Sequence, residues 1–250
     1  MISITVDPTY EAHRNFLERL PQTFATEGQL LYAGRNEIRL LHHDGLPIVA
    51  KRYKRHDAVK RIVYTWWRKD KALRSFEHAR LLRERGFATP HEIAYIEERQ
   101  LGLVSQVWYV SEYTDAMPIR PRLIEQQPFD TALATAYARF VAKLHKAGVL
   151  HRDLNPTNVL FSERDDGFDF KLIDINRMTF YDQPVPKAAC MENLTLFYWL
   201  TPAYRFILDE YARQRGWTQA DIDQAIRVKE RHDRAWVRRK RITHPFTYKK

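Results

Sequence analysis

One segment limits the fold of this chain more than any other, because it sets an aspartate and an asparagine five positions apart in one loop, with a second aspartate after the next strands. Residues 151–158 read HRDLNPTN, and Asp174 follows them. Apolar residues 159–161 predict a strand, polar residues 162–167 predict a turn, and residues 170–173 predict the return strand. Such a hairpin returns Asp174 to the neighbourhood of Asn158.

The spacing in this segment suits phosphoryl transfer. That reaction needs a base beside the attacking hydroxyl and oxygen ligands for Mg²⁺ on a triphosphate. We expect Asp153 to be the base and Asn158 and Asp174 to be the metal ligands. The alternative is a chance His-Arg-Asp tripeptide, but the Asp-to-Asn spacing, the flanking strands and the second aspartate together favour the functional interpretation.

The upstream sequence supplies the other residues that a kinase-like site requires. Residues 47–53 (PIVAKRY) predict a strand that points Lys51 into a cleft, and residues 75–82 predict an amphipathic helix. We expect Glu77 on that helix to pair with Lys51 and to hold it over the nucleotide phosphates. A surface lysine and a solvated glutamate are the alternative. Backbone groups around Glu112 and Tyr113 are expected to bind the adenine edge.

Four features depart from the protein-kinase pattern. The hairpin at residues 30–40 carries Gly34 alone instead of a Gly-x-Gly-x-x-Gly cradle, so Arg35 is either a phosphate-binding cation or part of an ordinary turn. Asp174 is followed by Ile-Asn and not Phe-Gly, which argues against a regulated activation switch. Asn155 stands where protein serine/threonine kinases carry lysine, and the stretch after Asp174 is short, which favours a small-molecule or glycolipid acceptor.

Together these segments resemble the lipopolysaccharide kinase family, the Kdo and heptose kinases of the inner core. The resemblance rests on residues 34–36, 49–51, 71–77, 86–90, 153–158 and 173–177. It implies a protein-kinase-like fold, with Asp153 as the catalytic aspartate, Asp174 as the metal aspartate and Lys51 as the nucleotide lysine. It also implies ATP and Mg²⁺ as cofactors and an anionic glycolipid as acceptor.

Composition fits a folded α+β enzyme of two lobes. The chain has 250 residues, of which 44% are hydrophobic, enough for one large or two small cores. We expect a small β-rich N-terminal lobe over residues 1–110, a linker over 111–121 and a mostly helical lobe over 122–250. Helices are predicted at residues 129–147, 190–200, 202–214 and 218–240. The single cysteine, Cys190, excludes an intramolecular disulfide and is expected to be a buried small hydrophobe.

Net charge predicts an anionic partner. The formal charge is +10, and the cations concentrate in residues 60–71, interleaved with aromatics, and in residues 227–241. Residues 60–71 either contact an anionic membrane surface or pack their aromatic rings under the small lobe while their cations are solvated. Residues 227–241 either dock on a membrane surface or a phosphorylated acceptor, or form a solvated helix end. No nucleic acid partner is expected. No secretory signal and no run long enough to span a bilayer is seen, so a cytoplasmic protein, peripheral at the inner membrane, is expected.

Three functions are compatible with these features. The first is transfer of the γ-phosphoryl group of ATP to an inner-core sugar hydroxyl, a phosphotransferase reaction with an alcohol acceptor. The second keeps the kinase but changes the acceptor to another small molecule or a protein. The third is a kinase-fold protein that binds nucleotide without catalysis, which retention of all five residues Lys51, Glu77, Asp153, Asn158 and Asp174 disfavours.

Overall fold

In a computed structural model of the protein, residues 1–54, 58–66 and 69–243 are described. The chain forms two compact units. The first unit contains Met1–Asp115 and the short segment Asp174–Arg177, and the second contains Ala116–Ile173 and the residues from Met178 onward.

The first unit is an antiparallel sheet of six strands with helices on it. Its strands are β1 (Ile2–Val6), β2 (Gln29–Ala33), β3 (Glu37–His43), β4 (Leu46–Arg52), β5 (Glu92–Gln100) and β6 (Leu103–Glu112). Its described helices are α1 (Arg14–Thr23), α2 (Ala58–Trp66) and α3 (Lys71–Glu84), with 3₁₀ turns at Pro8–His13 and Ile175–Arg177. The sheet order is β1-β5-β6-β4-β3-β2.

Strand alternation places one apolar cluster on each side of this sheet. Ile48 and Ala50 of β4 are fully buried in a cluster with Leu17 and Leu20 of α1. Because successive strand side chains point to opposite faces, Lys51 projects to the other side. A second cluster, which includes Tyr53, Ala72, Tyr95 and Val107, packs α3 against the sheet.

The basic segment at residues 60–71 is not one helix. Helix α2 ends at Trp66, and Asp70 caps α3 by accepting from the amides of Ala72 (2.7 Å) and Leu73 (3.0 Å). Trp67 and Arg68 of the predicted interfacial segment lie outside the described residues. Trp66 is 71% exposed. Arg61 instead faces the sheet and donates to the carbonyl oxygens of Val104 and Gln100.

The second unit is mostly helical and carries two small sheets. Its helices are α4 (Thr131–Lys146), α5 (Lys187–Leu194), α6 (Pro202–Arg215) and α7 (Gln219–Thr243), with one turn of π-helix at Pro121–Glu125. Its strands are β7 (Met117–Pro118), β8 (Val149–His151), β9 (Val159–Arg164), β10 (Gly167–Leu172) and β11 (Met178–Phe180). They pair antiparallel as β10-β9-β7 and β11-β8.

Most predicted elements of this unit are confirmed. The β9–β10 hairpin, α4, α6 and α7 lie where the patterns place them, and Thr218 and Asp221 form a reciprocal cap at the start of α7. Cys190 is fully buried. The helix predicted over residues 190–200 is wrong at its end, because α5 stops at Leu194 and residues 195–200 form a loop. Residues 244–250, the end of the range predicted for the helical lobe, lie outside the described residues.

The described helices were compared with the length and hydropathy that a membrane span requires. Among residues 1–54, 58–66 and 69–243, none forms a helix long and apolar enough to cross a bilayer.

Candidate active site

The loop after β8 is fixed by a buried histidine. His151 is 0% exposed, and its Nδ1 accepts from the backbone N–H of Asp153 (3.1 Å). Its Nε2 donates to the carbonyl oxygen of Ile173 (3.0 Å), which sets the tautomer because a carbonyl only accepts. Ile173 N–H in turn donates to the carbonyl of Asn158 (3.0 Å). His151 therefore braces the loop that carries Asp153.

Two asparagine amides position the candidate base. Asn155 Nδ2 donates to Asp153 Oδ1 (3.1 Å), and Asn158 Nδ2 donates to the backbone carbonyl of Asp153 (2.9 Å). Asn155 Oδ1 also accepts from Thr157 N–H (2.9 Å), so this side chain ties both ends of the turn. The amide group of Asn158 is thus oriented by its nitrogen, and its Oδ1 is an oxygen donor of the kind that Mg²⁺ prefers.

A chain of buried hydrogen bonds supports this loop from behind, and sequence reasoning missed it. Asn193 of α5 donates through Nδ2 to the carbonyl of His151 (2.8 Å), which directs its Oδ1 toward His145 Nε2 (3.0 Å). Because that Nε2 must donate, His145 Nδ1 accepts from the Tyr211 hydroxyl (2.8 Å). Burial lowers the pKa of His145 to about 4, so the ring is neutral at pH 7. The only sequence signal was polar residues on the inward faces of apolar helices.

In the first unit, Lys51 pairs with Asp174. Lys51 Nζ donates to Asp174 Oδ1 (2.7 Å), and Asn176 Nδ2 donates to the same oxygen (2.8 Å). Burial alone would lower the pKa of Lys51, but the Tyr53 hydroxyl and the Asp174 carboxylate outweigh it and raise the pKa. Asp174 has a left-handed backbone with φ of 54°, a conformation that costs energy for a non-glycine residue and recurs at functional sites.

The predicted pairing of Lys51 with Glu77 is wrong. Glu77 Oε1 accepts from Lys69 Nζ (2.6 Å) on the outer side of α3. The buried residues of this helix are Ala72, Ser75, Ala79 and Leu82. Since each residue turns a helix by about 100°, Glu77 lies about 200° around from Ser75 and so points away from the sheet.

Tertiary contacts set that rotation of α3. Its cap residue Asp70 is held by the Tyr95 hydroxyl (2.6 Å to Oδ2). Ser75 Oγ lies 3.0 Å from the Tyr53 hydroxyl. Both tyrosines belong to the sheet side of the second cluster, so the sheet and not the hydrophobic pattern alone decides which face of α3 is buried.

A basic face of α3 lies where the glutamate was expected. His78 Nδ1 donates to the carbonyl of Ile175 (2.8 Å), next to Asp174. The pKa of Lys71 is lowered, first by burial and then by the positive charges of Arg35, Arg177 and Arg74, while Asp174 opposes the shift. Arg35, Arg74, Arg177 and Asp174 therefore lie close enough to Lys71 for their charges to act on it, and Lys51 is bound to Asp174. We refer to Lys51, Lys71, Arg35, Arg74 and Arg177 as the cation cluster.

The turn between β2 and β3 contributes Arg35 to this cluster. Gly34 N–H donates to the carbonyl of Asn36 (3.0 Å), and a Cβ at Gly34 would collide with the Tyr32 ring. Arg35 is exposed at the tip, and its charge acts on Lys71. Of the two interpretations of Arg35, this proximity favours the phosphate-binding cation.

The segment predicted to bind adenine is already hydrogen-bonded in part. Glu112 N–H donates to the His91 carbonyl (2.9 Å), and Tyr113 N–H donates to the Pro47 carbonyl (3.0 Å). The Glu112 carboxylate accepts from the Tyr10 hydroxyl (2.6 Å). These two backbone N–H groups are therefore committed to the fold, and the binding of adenine by backbone groups around Glu112 and Tyr113 stays a prediction.

Comparison with known proteins agrees with these features. A family model described as "Lipopolysaccharide kinase (Kdo/WaaP) family" matches residues 42–228. The α+β fold, with its six-stranded sheet unit and helical unit, is of the protein-kinase-like class, as predicted. The chain belongs to the lipopolysaccharide kinase (Kdo/WaaP) family, which confirms the resemblance seen in its motifs.

A solved structure supports the fold. The structure titled "WaaP in complex with acyl carrier protein" is similar over 92% of this chain and 97% of its own chain, with a TM-score of 0.64 and 20% sequence identity. Its protein partner is of a kind that the sequence analysis did not predict. No curated protein sequence matches this chain.

Proposed function

We propose that this chain transfers the γ-phosphoryl group of Mg-ATP to a hydroxyl group of an inner-core lipopolysaccharide sugar, Kdo or heptose. The observation that carries the proposal is the Asp153 loop, whose carboxylate is held on one oxygen by Asn155 and whose backbone is held by His151 and Asn158. A positioned base of this kind supplies catalysis only when it is fixed beside the acceptor. Membership of the kinase family supplies the reaction class.

In the proposed mechanism, Asp153 orients the acceptor hydroxyl and takes its proton. The acceptor oxygen forms a bond to the γ-phosphorus while the bond to the leaving ADP oxygen breaks. Asn155 keeps Asp153 Oδ1 in place, so Oδ2 is the oxygen assigned to the hydroxyl. The charge that spreads over the transferring group calls for cations that are already in position.

The cation cluster is the proposed site of the triphosphate. A phosphate cradle of backbone amides would require glycines that the β2–β3 turn lacks, whereas Arg35, Lys71 and Lys51 bring positive charge to the same region. Guanidinium and ammonium groups bind phosphate oxygens by charge-assisted hydrogen bonds. Arg35 and Lys71 therefore take over a task that glycine-rich loops perform with N–H groups.

The donor set fits magnesium. Asp174 offers a carboxylate and Asn158 an amide oxygen, both hard oxygen ligands of the type found in nucleotide-bound Mg²⁺ sites. We propose that these two residues hold the ion. When bound, Mg²⁺ neutralises charge on the β- and γ-phosphates. Chain connectivity supports the pairing, since Ile173, which is hydrogen-bonded to Asn158, immediately precedes Asp174.

We also propose a peripheral position at the cytoplasmic face of the inner membrane. Exposed Arg227, Arg231, Arg234 and Arg238 recur at spacings of three and four along α7 and therefore share one face. A basic helix face is attracted to anionic headgroups. Flotation with vesicles containing anionic lipid is expected to carry the native protein and not a variant with these four arginines changed to glutamine. Equal flotation of both would contradict a role for this face.

An acyl carrier protein is proposed as a second partner. The proposal is supported by the similarity of this chain to a WaaP structure solved in complex with acyl carrier protein. Size-exclusion chromatography of a mixture with purified acyl carrier protein is expected to show a complex at low salt. Independent elution at low salt would count against it.

The function is tested by offering three acceptors with γ-labelled Mg-ATP. Purified inner-core glycolipid, a general protein substrate and free glucose are incubated with native protein, with Asp153→Asn and with the matched control Asp209→Asn, whose side chain is exposed on α6. Label is expected in the glycolipid alone, from the native and Asp209→Asn proteins. Label in the protein substrate would move the acceptor to another class, and no transfer by native protein that binds ATP would favour a non-catalytic nucleotide binder.

A further inference from the structure

A cavity of about 520 Å³ opens beside Asp153 within the second unit. Its volume is within the usual range of small-ligand sites, roughly 300–1,000 Å³. Aromatic and charged side chains from the Asp153 loop, from the α5–α6 loop and from α7 line it. The members used below are Arg120, Asp153, Trp199, His232, Asp233 and Trp236.

The aromatic wall is built where α5 ends. The helix stops at Leu194, and Thr195 Oγ1 donates to the Glu192 carbonyl (2.7 Å), so the following residues turn into the cavity. Trp199 meets Trp236 of α7 edge to face, with ring centroids 4.8 Å apart and planes at 89°. The edge-to-face contact fixes both rings, and pocket aromatics that are held this way offer flat apolar faces at little cost in entropy.

The polar wall is a cluster of charged side chains around the buried Lys229. Lys229 is 1% exposed, and its Nζ donates to Asp233 Oδ1 (2.6 Å) and to the Thr195 carbonyl (3.1 Å). His232 Nδ1 lies 3.3 Å from the same Asp233 oxygen. Burying an ion pair adds little stability by itself, because both ions lose their hydration. Asp233, whose side chain is 17% exposed, also lines the cavity, where a carboxylate oxygen can accept a hydrogen bond from a ligand.

We propose that this cavity holds one sugar ring of the acceptor, an inference that rests on the proposed function. The apolar C–H face of the ring stacks on Trp236, since ring faces of aromatics take apolar surface. Hydroxyl groups on the ring edge donate to Asp233 Oδ2, because an ionised carboxylate only accepts. The hydroxyl that receives phosphate lies at Asp153, and Arg120, half-buried on the cavity wall, takes an acidic substituent of the sugar.

The test uses the lipid-free oligosaccharide of the inner core, prepared without phosphate, so that membrane binding plays no part. Three variants are compared with native protein: Trp236→Ala, the conservative Trp236→Phe, and Gln224→Ala, an exposed change on the same helix. Isothermal titration calorimetry reports binding of the oligosaccharide independently of any tryptophan, steady-state kinetics give the KM for each substrate, and thermal denaturation confirms that each variant is folded.

Trp236→Ala is expected to weaken oligosaccharide binding and to raise its KM about tenfold, with the KM for ATP unchanged within about twofold. Trp236→Phe should recover most of the affinity, and Gln224→Ala should match the native protein. Unchanged oligosaccharide binding by folded Trp236→Ala would overturn the inference while leaving the kinase function intact. Binding that is lost in Trp236→Ala, together with no phosphate transfer by native protein, would uphold the sugar site and reject the proposed reaction.

Discussion

Lowering the pH should loosen the support of the catalytic loop at one identifiable residue, His145. This ring is fully buried between Asn193 and the Tyr211 hydroxyl and is neutral in the folded protein. Its pKa is lowered from 6.5 to about 4 by burial. In the unfolded chain the ring takes up a proton below about pH 6.5, whereas the folded protein does not until about pH 4.

The sign and size of the effect follow from these two values. Between them the unfolded state binds more protons, so the contribution of His145 to stability is complete above pH 6.5 and is lost as pH falls toward 4. A difference of about 2.5 pKa units corresponds to about 3 kcal/mol at most, of which about 2.5 kcal/mol is lost by about pH 4.5.

Urea denaturation at a series of pH values measures this loss, and His145→Gln is the reference because glutamine does not titrate. The titrating carboxylates are the same in both proteins, so the difference between the two curves isolates His145. We expect the free energy of unfolding of the native protein to fall by about 2.5 kcal/mol more than that of His145→Gln between about pH 7.5 and pH 4.5. Parallel curves would refute the buried neutral histidine and the tautomer assigned to it.

Three further changes test separate parts of the site. Lys71→Ala should raise the KM for ATP about tenfold with a smaller effect on turnover, because it removes one cation from the proposed triphosphate site; an unchanged KM in ATP titrations would exclude Lys71 from that site. Asn155→Ala should lower turnover about tenfold or more at saturating ATP, since Asp153 loses a hydrogen bond to its ionised carboxylate, and native turnover would show that this bond is dispensable. Asp233→Ala should lower the free energy of unfolding, measured by chemical denaturation, by about 3 kcal/mol, because Lys229 stays buried without its carboxylate partner. A free energy of unfolding equal to the native value would mean that water reaches the Lys229 ammonium group.

Local patterns were enough for much of the second unit. The β9–β10 hairpin follows from strand alternation around a polar turn. Helix α4 follows from its apolar period and from Gly148, which lies just beyond its end. The loop residues Asp153 and Asn158 were recognisable because their spacing is fixed within one short segment. Each of these features depends on residues that are close together in sequence, so it can be predicted from the sequence alone.

What the sequence could not supply depends on contacts between distant residues. The rotation of α3, which turns Glu77 outward, is set by Tyr95 of β5 and by Tyr53, which follows β4. Their partners, the cap residue Asp70 and Ser75 of α3, lie 25 and 22 positions away in sequence. The Asn193–His145 bond joins residues 48 positions apart and cannot be inferred from either helix alone. The end of α5 at Leu194 was missed as well, and the carbonyl of the next residue, Thr195, accepts from Lys229, 34 positions away on α7.

The central claim is that Asp153 acts on the acceptor hydroxyl and not on ATP. The most direct measurement is single-turnover phosphate transfer to inner-core glycolipid by Asp153→Asn, with the ATP dissociation constant determined on the same protein. We predict that transfer falls by roughly 10²- to 10⁴-fold while the ATP dissociation constant stays within about twofold of the native value. Transfer at the native rate, or a loss of ATP affinity as large as the loss of rate, would contradict the assigned role.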